Sequence, residues 1–125
     1  MTNAESIYFK FEKLDVWQRA RKFANEIYVI THTFPQSELF GITNQVRRSA
    51  VSIMLNIAEG SERQSDADFR RFVQMAIGSL NETVASLYLA SDTHLIRDNK
   101  FQELYQDAGH LAAQLKALAK KLYRK

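Results

Sequence analysis

The side chains of this chain that could do chemistry are three histidines, fourteen carboxylates and a scatter of hydroxyls. A bundle of helices can hold two metal ions, but that site needs two Glu-x-x-His motifs and two further inward glutamates. No Glu-x-x-His occurs, and Asp107-x-x-His110 is the nearest approach. His32, His94 and His110 fall near a helix end, in a turn and in mid-helix, with no common ligand spacing. Each reads as a surface or capping residue, since isolated motif matches carry little weight. No nucleophile elbow, phosphate loop or glycine-rich fingerprint is present. The sequence therefore predicts no enzyme, and no catalytic, cofactor-binding or metal-binding residue.

Two polar strips are more informative. Ser49, Ser52, Asn56 and Glu59 line the narrow polar side of an otherwise apolar segment, and Ser79, Glu82 and Ser86 recur at i, i+3 and i+7 further on. Buried polar groups must find partners. The structural reading therefore pairs these hydroxyls and the amide across two helices, with Glu82 accepting from Asn56 or from an arginine such as Arg48. The functional reading is a small polar ligand pocket, for which the strip offers little concentrated chemistry.

The cations form a third set. Arg47, Arg48, Arg63, Arg70 and Arg71 cluster around the middle of the chain, and Lys116, Lys120, Lys121, Arg124 and Lys125 close it. Residues 108–125 hold five Lys/Arg and no acid, while residues 1–107 carry a net −2, so the overall +3 belongs to the C-terminal segment. A basic segment of this kind can attract the phosphates of RNA or DNA. It is also what helix-dipole compensation puts at a helix C-terminus. No aromatic stacking platform is interleaved with the cations.

Helices must position these groups. The 125 residues suffice for one domain with a real core, and one proline with four glycines argues against a turn-rich β fold. Residues 1–13 read as an irregular lead-in, with Ile7, Phe9 and Phe11 strapped onto the core of a domain covering 14–125. Val16, Ala20, Phe23, Ile27 and Ile30 give a first apolar stripe, ended by Phe34-Pro35. Residues 36–42 carry Leu39 and Phe40 as a hydrophobic plug. A second helix runs from a Thr43 cap to Gly60, which would take a left-handed closing turn; Val46, Ala50, Ile53 and Ile57 are its stripe. The third, capped by Ser65 with Asp68, spans Asp66 to about Thr93. Gly78 sits inside it, implying close approach by a neighbouring helix. The fourth carries Phe101, Leu104, Ala108, Leu111, Leu115, Leu118 and Leu122. Short connections between such helices predict an all-α, antiparallel up-down-up-down four-helix bundle.

Apolar surface exceeds what one bundle can hide. Trp17, Ala24 and Tyr28 flank the first stripe, and Val51, Met54, Leu55 and Ala58 flank the second. These are the candidate oligomer-interface residues, because large exposed apolar patches mark interaction sites. The alternative is that the lead-in covers them. No apolar run reaches the roughly 18 residues of a membrane span. The first fifteen residues lack a basic region followed by an apolar stretch, so no secretion signal is expected. Cysteine is absent, which excludes disulfides and thiolate metal sites and fits a reducing cytoplasm.

Several strings together carry a family resemblance: Leu14-Asp15-Val16-Trp17; Phe34-Pro35 with Glu38 and Gly41; residues 45–53, QVRRSAVSI; Asn56-Ile57-Ala58-Glu59-Gly60; and Gly78-Ser79-Leu80 with Glu82. Over roughly residues 9–95 the chain resembles the 23S rRNA-intervening-sequence proteins. It is also similar to the related accessory protein of diversity-generating retroelements. Met54, where the family often has proline, and Thr93-His94, where it often reads Leu-Gly, depart from the pattern. The resemblance implies a ring-shaped homo-oligomer, commonly a pentamer, and contact with nucleic acid or a protein partner. It establishes no activity.

Overall fold

A computed structural model describes residues 8–123. They fold into four α-helices, with no β-strand among the described residues: α1 (Asp15–Thr31), α2 (Asn44–Ser61), α3 (Asp66–Asp92) and α4 (Asp98–Tyr123). Each helix turns its stripe inward. Ala20, Phe23 and Ile27 meet Val46, Ala50, Ile53 and Ile57, then Val73, Ala76, Leu80 and Leu87, then Leu104, Leu111 and Leu115, in one buried core. Burying one Leu or Ile side chain stabilises by roughly 1.5–3 kcal/mol, which is why these stripes decide the packing. α2 packs between α1 and α3, and α4 closes against α3 and α1.

Named pairs fix how the helices lie. Gln45 reaches Glu82, Ser52 reaches Ser79, and Gly60 faces Phe69 and Phe72. Along the next seam Arg70 lies against Tyr123 and Tyr88 against Phe101. On the last, Arg19 donates to Gln114.

Several expectations change. Gly60 is not a left-handed closing turn: no described glycine has positive φ, and α2 continues through it. Its role is contact, because a Cβ there would stand 2.7 Å from Phe72 Cβ. The opposite holds for Gly78, whose added Cβ would meet nothing within 4 Å, so no helix of this subunit approaches it. Thr43 caps nothing with its side chain and is buried instead, at the end of the kinked π turn Leu39–Thr43, in which Gly41 has non-helical angles (φ −107, ψ −117). Of the expected plug, Phe40 is 92% exposed while Phe34 takes the buried place.

Among its described residues the lead-in packs through Phe11. A 3₁₀ turn, Lys10–Lys13, sets Phe11 against Trp17 with ring centroids 4.6 Å apart, while Phe9 stays exposed. Ile7 lies outside the described residues. The α3–α4 turn places His94 at φ 64, where glycine is favoured. Leu95 N–H bonds to Ala90 O at 2.8 Å and His94 N–H to Ser91 O at 3.1 Å, the paired bonds of a Schellman end.

Candidate functional site

The polar strips meet along the α2–α3 seam. Thr83, fully buried, donates to Ser49 Oγ at 2.7 Å, and Ser49 passes its own proton to the Val46 carbonyl at 3.2 Å. One turn away, Ser79 donates to Ser52 Oγ at 2.9 Å, which also accepts from Asn56 Nδ2 at 3.1 Å. Each hydroxyl has one proton: that of Thr83 is shared between Ser49 Oγ and the Ser79 carbonyl at 2.8 Å, and Ser52 serves as an acceptor. Thr83 was missed by the sequence reading, although it stands at i+4 from Ser79 on the same face. Glu82 is exposed and accepts from Gln45, not from Asn56 or Arg48. Glu59 also lies outside the seam and pairs with Arg63 at 2.6 Å. The seam is an internal fastening centred on the buried Ser49 and Thr83, and its outer member Ser52 lines a cleft.

The cations divide between the two ends of α2. Fifteen residues separate Arg48 from Arg63, about 22 Å along a helix. At the α2–α3 end Arg63 and Arg71 both lie over Phe72, each with its guanidinium 4.6 Å from the ring centroid. Asp68 binds Arg71 at 2.9 Å and approaches Arg63 at 3.8 Å. Arg70 covers the Tyr123 ring at 4.9 Å, which brings the end of α4 alongside. Lys116, Lys120 and Lys121 on that part of α4 are exposed and make no ion pair among the described residues. Arg124 and Lys125 lie outside the described residues.

At the α1–α2 end, Arg47 is half-buried. Its Nε donates to Thr31 Oγ1 at 2.8 Å and its guanidinium lies 4.6 Å from the Tyr28 ring centroid. Among the described residues no carboxylate pairs with it. Thr43, only 3% exposed, keeps a buried hydroxyl without a partner. Two clefts of about 410 and 200 Å³ share Leu39, Thr43 and Arg47 in their walls, and Arg48 lines the larger.

The apolar flanks also divide. Trp17 and Ala24 are buried within the subunit and leave the set of surface residues, because Phe11 and the core cover that side of α1. Met54 and Ala58 are half-buried against the core, and Val51 is half-buried. Tyr28 and Leu55 remain exposed, Leu55 at 58%. Across the α1–α4 seam the Glu26 carboxyl is pushed above its ordinary range by burial, by a hydrogen bond to Asp107 and by that residue's charge; Lys22 and Lys100 pull weakly the other way. His32, His94 and His110 are all exposed. Among the described residues no three His, Asp or Glu side chains gather as a metal site, and no helix is long and apolar enough to cross a membrane.

The sequence model of the 23S rRNA-intervening sequence proteins matches residues 12–117, so the chain belongs to that family. It is similar to a crystal structure from Bacteroides thetaiotaomicron, a protein of unknown function from the S23 ribosomal protein family. The two are 27% identical, with a TM-score of 0.79 over 84% of this chain and 98% of that one. No curated protein matches it.

Proposed function

We propose that this member of the family is a non-enzymatic, cytoplasmic scaffold that self-associates and holds RNA or DNA through phosphates. One observation carries the nucleic-acid part: Lys116, Lys120 and Lys121 are exposed without an anionic partner among the described residues, while Arg63 and Arg71 are answered by Glu59 and Asp68. Contacts of lysine with phosphate are independent of base sequence and weaken with salt. Arg48 and Arg70 are further candidates, as are Arg124 and Lys125.

Self-association rests on the apolar strip of Tyr28, Val51 and Leu55, with Met54 and Ala58 beside it. We read the helices as an antiparallel up-down-up-down bundle, an order supported by the pairs 45–82, 52–79, 70–123 and 19–114. A ring of such subunits, a pentamer by the family resemblance, would multiply a modest basic patch into a strong positive field.

A mobility-shift titration of single-stranded RNA at several salt concentrations tests the phosphate reading. The affinity should fall steeply with salt, and changing Lys116, Lys120 and Lys121 together to Gln should flatten that slope by roughly 2, at about 0.7 per lost contact on a single strand. An unchanged slope contradicts it. A protein–protein adaptor is the second reading, favoured by the exposed strip around Leu55. A co-purifying protein together with absence of salt-dependent RNA binding selects it.

A further inference from the structure

Arg47 is a cation without an anion. Its Nε is committed to Thr31 Oγ1 and its face to the Tyr28 ring, and neither terminal nitrogen has a protein partner among the described residues. A half-buried charge with no counter-charge is an unfavourable arrangement that a bound anion relieves. Arg47 lines both clefts, with Arg48, also without an acidic partner among the described residues, in the wall of the larger one. Beside it lies Thr43, whose buried hydroxyl has no partner and which lines both clefts. The rest of the larger cleft is an apolar wall of Tyr28, Leu39, Val51 and Leu55, with the polar Asn44 and Ser52 beside it.

We infer that the α1–α2 cleft binds a small organic oxyanion, a carboxylate or phosphate head on an apolar body. The guanidinium fork of Arg47 fits the paired oxygens of such a head. Arg48 adds charge at the rim, and Tyr28, Val51 and Leu55 take the body. Thr31 and Tyr28 are positioning residues: they hold Nε and the face of the guanidinium and leave its terminal nitrogens for the ligand. A volume of about 410 Å³ lies within the range of small-molecule sites. The inference does not depend on nucleic-acid binding at the other end of α2. It does share Tyr28, Val51 and Leu55 with the proposed contact between copies, so occupancy and size must be measured together.

Isothermal titration of the full chain with phenyl phosphate, benzoate, inorganic phosphate and phenol tests it. Phenyl phosphate or benzoate should bind saturably, one per chain, and whichever binds more tightly identifies the preferred head. Inorganic phosphate should bind more weakly, and phenol not measurably. Arg47→Gln should weaken binding about tenfold or more, the scale of a lost charge-assisted hydrogen bond, with circular dichroism confirming an intact fold. Arg47→Lys, which keeps the charge without the fork, should fall between them. Absence of saturable binding, equal binding by Arg47→Gln, or binding of phenol as tight as phenyl phosphate overturns the inference. So does a change of oligomer size in Arg47→Gln without ligand binding to the wild type, for then a neighbouring copy's carboxylate fills the cleft.

Discussion

The two ends of α2 handle positive charge in opposite ways. At the α2–α3 end, Arg63 and Arg71 both lie over Phe72 and share Asp68, with Glu59 completing the set. Gly60 lets that turn close, since α3 comes too near to admit a side chain. At the α1–α2 end, Arg47 has a hydroxyl and a ring but no carboxylate among the described residues, and two clefts stay open around it. Exposed ion pairs add little stability, about 0–1 kcal/mol each. The first end has an open cleft of its own, about 710 Å³, but there Arg63 and Arg71 are answered by acids; the second end is left with unanswered charge. The difference teaches that a count of arginines does not locate a site; the position of the acids does.

The comparison breaks most visibly at Gly60. Gly60→Ala forces a methyl against Phe69 and Phe72 and should destabilise the fold by about 2 kcal/mol, lowering Tm by roughly 10 °C. Gly78→Ala, in open space on α3, should instead stabilise by up to about 1 kcal/mol. Thermal melts of both variants check this. If Gly78→Ala lowers Tm or shrinks the assembly, another copy packs there, and the reason for that glycine lies outside the subunit.

A smaller effect tests charge in the middle of the bundle, between the two ends. Glu26 binds its proton more tightly folded than unfolded, because of burial and Asp107. The stability this contributes is present below the ordinary Glu pKa of 4.5 and is lost as pH rises through the higher folded value. Glu26→Gln should therefore raise Tm by about a degree or two at pH 7, discounted for partial exposure. The gain should shrink towards zero at pH 4. Equal shifts at both pH values would show that Glu26 and Asp107 do not interact.

The four apolar stripes were legible because burial follows helical period, and Val46, Ala50, Ile53 and Ile57 all lie in the core. The hydroxyl seam was nearly legible, since Ser49, Ser52 and Ser79 recur on matching faces, but Thr83 looked like an ordinary helix residue. Gly60 was misread because a glycine that admits a neighbour and one that ends a helix are the same letter. What separates them is Phe69 and Phe72, whose approach depends on the turn between. Thr43 was misread for a similar reason: a threonine before a helix fits a cap, and only the π turn ahead of it puts its side chain inside. The unanswered charge on Arg47 was out of reach. It depends on which carboxylates the fold brings near, and Glu59 and Asp68 were brought to the other end.

Self-association is the claim on which both the pooled charge and the covering of Tyr28, Val51 and Leu55 depend. Sedimentation velocity on the wild type and Leu55→Asp at micromolar concentration tests it directly. The wild type should sediment as a multiple of the 14.4 kDa chain, about five copies, and Leu55→Asp should remain helical but fall to a single copy. A wild type that sediments as a folded 14.4 kDa monomer would contradict the account.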